Sequence, residues 1–323
     1  MEATWDRTGR SWGFNYRLTG AAPDFTAAVG FVNRTGIVQG SAFNRLTWYG
    51  RRGAPLETVS GFFGLQRTFD YARFLSSDAI EGGESANLTG TVRGGWNVRL
   101  SGSRSFVVFD PSFYASYTVE RTQGAVTDTT AFAVPGRLAG LVGVSAGVTT
   151  PTFQQVTASA GIATGESAIF PEAAPGRAFS FNAAVDWRPA TQIRVSAQWT
   201  RQAISRQRDD SRFSTEDIPR LKIEYQASRA IFLRFVGQYA AQRRAALADE
   251  QGRPILRDSV AQGAQASNDL RVDWLFSYRP SPGTLVYLGY GSSLAENDAF
   301  AFGRDLRRVQ DGFFGKVSWL FRQ

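Results

Sequence analysis

The sequence predicts an all-β chain: an antiparallel, up-and-down transmembrane β-barrel of about 14–16 strands, a single domain over residues 1–323 read as an incomplete C-terminal portion. Three observations predict it. Apolar and polar residues alternate with period two almost from end to end. The alternating segments are long, many near the roughly 9–11 residues that a tilted strand needs to cross a bilayer, against about 5–6 for an average soluble strand. Short turns and long polar stretches take turns along the chain.

The expected strands, in order, are 11–19, 25–33, 38–49, 56–69, 84–93, 96–106, 138–148, 153–164, 178–188, 191–202, 218–227, 230–242, 268–279, 283–293 and 312–321. The alternation is plainest in the second half. Phe179, Phe181, Ala183, Val185 and Trp187 form one face of their strand, and Ser180, Asn182, Asp186 and Arg188 lie on the other. Ile193, Val195 and Trp199 alternate with Arg194, Ser196 and Gln198. Leu270, Val272, Trp274, Phe276 and Tyr278 alternate with Arg271, Asp273, Ser277 and Arg279. Segment 107–137 is read either as a long loop or as holding one extra strand.

Short turns are expected at Gly94-Gly95, Thr149–Thr152, Pro189–Thr191, Ala227–Arg229 and Pro280–Gly283, where Gly or Pro supports most of the reversals. Long polar stretches are expected at 70–83, 107–137, 165–177, 203–217, 243–267 and 294–311. The segregation fades at the N-terminus, where 20–24, 34–37 and 50–55 all read as short. Trp48, Trp187, Trp199, Tyr225, Tyr239, Trp274, Tyr278, Trp319 and Phe321 gather near strand ends, where amphipathic rings would sit at the membrane interface. A soluble β-sandwich with core aromatics is the alternative for alternation alone.

Composition narrows the chemistry. The chain has no Cys and no His, which excludes disulfides, thiol nucleophiles, histidine acid–base catalysis and His or Cys metal sites. Phosphate loops, dinucleotide fingerprints and metal-ligand spacings are absent, so no cofactor and no enzymatic activity are expected. Asp186, Glu224 and Asp273 are the carboxylates to consider for glycoside hydrolysis, but they are read as neutralising nearby arginines. Asp209-Asp210, Glu216-Asp217 and Asp249-Glu250 lack the ligand spacing of a calcium loop and are read as solvated loop charge. The net charge of +8 is carried almost wholly by Arg. Those arginines alternate with apolar residues or fall in loops, a pattern that fits a lumen and a lipid-facing rim rather than nucleic acid.

If the apolar set faces lipid, the polar set faces the lumen. That assigns Arg17, Arg45, Arg99, Arg194, Lys222, Arg234, Arg271 and Arg279 to the inside, with Asp186, Glu224 and Asp273 among them. The excess of guanidinium predicts a preference for small anionic solutes. Loop residues Arg206, Arg208, Arg212, Arg243, Arg244, Arg304, Arg307 and Arg308 are the expected contacts for lipopolysaccharide phosphates.

Segments Leu233–Tyr239 (LRFVGQY), Ser277–Tyr290 (SYRPSPGTLVYLGY) and Gly312–Arg322 (GFFGKVSWLFR), with Pro23-Asp24-Phe25 and Gly30–Arg34 (GFVNR), resemble the C-terminal barrel of a bacterial outer-membrane family of unknown function. Members of that family carry a signal peptide and an N-terminal family-9-like carbohydrate-binding module before the barrel. The resemblance implies an outer-membrane location and supplies no catalytic set. Gly315, Val317, Trp319 and Phe321 also resemble the terminal-strand signal read by the outer-membrane assembly machinery, although Arg322 and Gln323 follow the aromatic.

The expected work is solute passage or export, or a porin-like barrel presenting binding loops at the cell surface. The alternatives are the C-terminal barrel portion of a TonB-dependent transporter and an outer-membrane enzyme acting on glycans. Residues Met1–Tyr16 do not read as a signal peptide, and residues 1–10 read as too short and too polar for a spanning strand. An odd strand count would then put the N-terminus at the long-loop end and leave strand 11–19 as an open edge.

Overall fold

The computed structural model describes residues 1–26, 34–123, 126–281, 283–296 and 305–319. Nineteen strands occur among them: β1 (Glu2–Arg7), β2 (Trp12–Ala21), β3 (Ile37–Tyr49), β4 (Leu56–Asp70), β5 (Glu81–Val92), β6 (Trp96–Val108), β7 (Tyr117–Gln123), β8 (Val126–Ala131), β9 (Arg137–Thr149), β10 (Val156–Ile169), β11 (Ala174–Ala190), β12 (Ile193–Arg206), β13 (Arg212–Gln226), β14 (Ile231–Arg244), β15 (Ile255–Arg257), β16 (Val260–Ala261), β17 (Gln265–Ser281), β18 (Thr284–Glu296) and β19 (Arg307–Trp319). Two 3-10 turns, at Pro111–Tyr114 and Phe170–Glu172, lie in connections.

Fifteen of the strands form one antiparallel meander in chain order, interrupted only where β7–β8 and β15–β16 leave it to build a separate four-stranded sheet in the order β16-β15-β7-β8. The large sheet is open. Its edges are β1 and β19, which do not pair with each other among the described residues.

The register fixes which side chains share a face, since successive residues point to opposite sides. From β10 to β14, one face carries Ile162, Phe181, Val185, Trp187, Val195, Trp199, Leu221, Ile223, Tyr225, Leu233 and Phe235. The same face continues through Phe63, Leu65, Leu88, Val98, Leu100 and Val144 on the N-terminal side, and through Trp274, Phe276, Leu288, Phe313 and Val317 on the C-terminal side. Most of these side chains are exposed; Val144, in the middle of β9, is 56% exposed. An apolar face of this extent, left uncovered, is far larger than the few hundred Å² that soluble monomers present.

Several expectations change here. Residues Glu2–Arg7 do form a strand, paired residue for residue with Phe14–Thr19, so the edge is β1 and segment 11–19 is interior. Pairing with an existing strand supplies the ladder that six mostly polar residues lack alone. Most of expected strand 25–33 lies outside the described residues, and Phe25 and Thr26 are not in a strand. Strand β2 pairs directly with β3, so the first reversal at the end opposite the short turns falls between Ala21 and Ile37, and long connections stand at that end for β4–β5, β6–β9 and β14–β17. Segment 107–137 holds the hairpin β7–β8, which belongs to the second sheet. Around 165–177 and 203–217 the strands extend further than expected, leaving only 170–173 and 207–211 between them. Met1 lies at the long-connection end, where its ammonium donates to the Gly20 carbonyl at 2.8 Å.

Candidate functional site: a charged tract on the polar face

The second face of the sheet is polar because its residues alternate with the apolar set. In β11–β18, three cross-strand rows carry most of its charge. One runs Arg194, Glu224, Arg234. The next, two residues further from the short turns, runs Asp186, Ser196, Lys222, Val236, Asp273. The third runs Gln198, Arg220, Gln238, Arg271. Arg279 has the same parity near the end of β17. The eight charged residues expected on one face within β11–β18 therefore share it, as does Arg99 of β6 by parity, together with Arg220, which alternates in step with Lys222 but was not in the expected set.

Charge on this tract is unevenly satisfied. Arg194 donates to both oxygens of Asp186, Nε at 3.1 and 2.8 Å, and its Nη2 lies 2.7 Å from Oδ2. Ser196 Oγ adds a hydrogen bond to the same carboxylate at 2.9 Å, and Arg188 Nε approaches it at 3.6 Å. Lys222 Nζ is 3.1 Å from Glu224 Oε2. Arg220, Arg234 and Arg271 have no ion-pair or hydrogen-bond partner among the described residues. The three carboxylates raised as a glycosidase set are thus separated by function: Asp186 and Glu224 are each bound to a cation, and Asp273 stands in the row of Lys222.

The other inward candidates behave differently. Arg17 pairs with Glu2 at 2.6 Å. Arg45 donates to the Gly9 carbonyl at 2.6 Å and so braces the turn at 8–11. Among the aromatics, Trp48, Trp187, Tyr225, Tyr278 and Trp319 lie near strand ends at the short turns. Trp199 and Trp274 lie further inside their strands, and Tyr239 sits towards the long connections, where its hydroxyl donates to Asn268 Oδ1 at 3.2 Å. Phe321 is outside the described residues.

At the long-connection end the polar face is capped. Strand β15, from the β14–β17 connection, pairs with β7, from the β6–β9 connection. Ile255 of β15 is fully buried with Ile169, Phe213 and Leu247, and Tyr117, Phe132 and Ile204 pack on them. Ile169 and Ile204 have polar-face parity, so the small sheet sits on that side. Phe109, Tyr114 and Ala173 form a second cluster beside it. Burial raises the Tyr114 phenol above its ordinary pKa, and its hydroxyl donates to the Phe170 carbonyl at 2.8 Å.

A buried ion pair locks this cap. Glu172 has no exposed side-chain surface. Arg206 donates to it from Nε at 2.9 Å and from Nη2 at 2.6 Å, and also to the Ala246 carbonyl at 2.7 Å. Ala248 N–H donates to the same carboxylate at 2.9 Å. Arg208 Nη1 reaches the Ala248 carbonyl at 3.1 Å, and the Asp249 carbonyl as well.

These contacts correct the expectation for the rim. Arg206 and Arg208 are internal tethers and are not presented to lipid, because a guanidinium brought under a loop must find acceptors there. Arg212, Arg307 and Arg308 are exposed, Arg308 pairing with Asp311 at 3.2 Å; Arg243 and Arg244 are half-buried; Arg304 lies outside the described residues. The acidic pairs are also engaged, and Glu216-Asp217 lies within β13 instead of in a loop, because the strand runs further than the alternation suggested. Asp209 accepts from Ser211 N–H at 3.0 Å, Asp210 pairs with Arg177 at 3.0 Å, Glu216 accepts from Gln242 at 2.6 Å, and Asp249 holds Arg253 at 2.6 Å.

Neither a family model nor any curated protein matches the sequence. Among solved structures, the chain is similar to a mutant ferric enterobactin receptor of Pseudomonas aeruginosa, at 13% identity and TM-score 0.45, over 90% of this chain and 49% of that one. It is also similar to OmpT, an outer membrane protein of Vibrio cholerae, in an in-vitro folded trimer form at 10% identity and TM-score 0.33, over 98% of this chain and 95% of that one. For OmpT expressed in the outer membrane the values are 8%, 0.31, 98% and 99%. The chain spans about half the length of the receptor.

Proposed function

We propose that this chain forms wall and mouth of a bacterial outer-membrane β-barrel whose polar face admits or holds small anionic solutes. The observation that carries the reading is the segregation of the two faces. On β11 the apolar face runs Trp187, Val185, Ala183, Phe181, Phe179 before the first charge, Arg177; on β6 it runs Trp96, Val98, Leu100, Gly102 before Arg104. From Trp187 to Arg177 is about 33 Å along the strand at about 3.3 Å per residue, and from Trp96 to Arg104 about 26 Å; at the usual strand tilt of about 40° these project to about 25 and about 20 Å, close to the apolar band of such barrels. Arg220, Arg234 and Arg271 supply positive potential on the opposite face.

Lipid and lipopolysaccharide are the partners of the apolar face, and the outer-membrane assembly machinery is the partner of β19 during insertion. No catalytic step is part of the reading. The test is ion selectivity in planar bilayers under a salt gradient. A reversal potential of the anionic sign supports it, and a cationic sign overturns the anion preference.

A second reading, display of a binding surface at the long connections, is favoured by the ordered cap that Glu172 and Arg206 lock. Under it the intact protein does not conduct. The resemblance to the family bearing a carbohydrate-binding module makes surface glycans the ligand class to screen first.

A further inference from the structure

The long-connection end of the apolar face carries a group of arginines that the charged tract does not use. Arg67 of β4, Arg104 of β6 and Arg137 of β9 share that face with Phe106. Arg137 reaches it only because the β6–β9 ladder shifts register, Ser105 pairing with Leu141 and Phe106 with Ala139, so that Gly140 is left over in a left-handed conformation (φ +77°). Without that bulge Arg137 would point to the polar face.

The Phe106 ring lies between two guanidiniums, with the Arg137 carbon 4.1 Å and the Arg67 carbon 5.5 Å from its centroid. Arg67 is committed: it donates to the Gln66 and Gly83 carbonyls at 2.8 and 3.1 Å and pairs with Glu84. Arg104 and Arg137 are exposed and have no hydrogen-bond or ion-pair partner among the described residues. Together these residues border a cavity of about 390 Å³, which the carboxylates of Asp78 and Glu84 also line, Glu84 standing directly across from Arg104 but committed to Arg67.

Depth supplies the ligand. Arg104 pairs across the sheet with Val142, directly beyond the row Ala86, Gly102, Val144 of the apolar band. A side chain one row past the end of the band, on its lipid-facing side, meets head groups. The anion offered there is phosphate, and planar guanidinium donors match phosphate oxygens in pairs.

We propose that Arg104 and Arg137, set by Phe106 and the Gly140 bulge, bind the phosphate of an outer-leaflet lipid head group. The proposal rests on the outer-membrane reading above. The experiment uses the full chain refolded into detergent and then phosphatidylcholine vesicles, with insertion scored separately by protease protection of the strands. Native mass spectrometry measures retention of lipid A and of its dephosphorylated form. Lipid A is expected to be retained over the dephosphorylated form, and R104Q/R137Q is expected to lose about tenfold in affinity. R51Q/R52Q, which removes equal charge from the turn at 50–55, is expected to leave retention unchanged.

Equal retention of the two lipids by inserted protein overturns the proposal and leaves the barrel reading standing, as does equal loss in both variants. Failure of the wild-type chain to insert overturns both. Complete displacement of lipid A by millimolar inorganic phosphate assigns the site to free anions and overturns the lipid assignment.

Discussion

Arg206, the last residue of β12, meets Glu172 of the β10–β11 connection edge-on, with Nε 2.9 Å and Nη2 2.6 Å from its two carboxylate oxygens. The pair is buried, and its remaining valences go to Ala246, Ala248 and Ser211, so it joins three connections at one point. Removing one partner strands the other charge, which typically costs about 3–5 kcal/mol; replacing both by apolar groups is often close to neutral. Glu172→Ala is therefore expected to abolish amide-exchange protection in residues 245–264 while the strands of the apolar band keep theirs. The double change Glu172→Leu with Arg206→Met is expected to restore most of it. Unaltered exchange in Glu172→Ala would show that the hydrophobic cluster around Ile255 holds the cap by itself.

Gly140 sits at φ +77° with no atom close enough to obstruct a side chain, so the demand for glycine there is conformational and not steric. An L-residue in that region costs about 1–2 kcal/mol. Gly140→Ala is expected to lower the urea midpoint accordingly. Gly102→Ala, one strand away in equally open space at an ordinary φ, is expected to change it by much less. Equal midpoints for the two variants would remove the bulge as the reason for Gly140.

Asp209 caps the tight turn between β12 and β13. The Ser211 hydroxyl and N–H, and after them Arg208, hold its carboxyl at about 2, below the ordinary 3.8. A carboxylate depressed on folding stabilises its turn fully above the unfolded value, and the contribution is lost as pH falls through the folded one. Exchange at Ser211, corrected for intrinsic rate, should thus be flat down to about pH 4 and rise between about pH 4 and 2. In Asp209→Asn that pH-dependent rise should vanish. A rise of the same size in this variant would assign it to another group.

Selectivity should respond to the tract in opposite directions. Removing an arginine without an acidic partner, as in Arg234→Gln or Arg271→Gln, should move the reversal potential towards the cationic side. Asp186→Asn, which frees Arg194, should move it towards the anionic side. Folding stability should change by less than about 1 kcal/mol for Arg194→Gln, because that pair is largely solvated. Shifts of the same sign in Arg234→Gln and Asp186→Asn would separate selectivity from this tract.

Period-two alternation by itself determined most strands of the large sheet and which residues share a face, because a side chain's parity in an extended strand is a local property. It placed Arg194, Glu224, Arg234, Lys222, Asp186, Arg271 and Asp273 on one face before any pairing was known. Parity fails where the backbone shifts: the extra residue at Gly140 moved Arg137 to the apolar face, which no local pattern discloses. Only the tertiary structure decided what the long connections do. Glu172, Arg206 and Ala246 are distant in sequence, and a buried carboxylate looks the same in the sequence as a solvated one until a cation arrives to share its burial. The edge at β1 likewise came from pairing, since six mostly polar residues become a strand when Phe14–Thr19 offers them a ladder. Alternation is written residue by residue, whereas caps, bulges and buried charge depend on which distant segments meet, and that is settled by the free energy of the whole assembled surface.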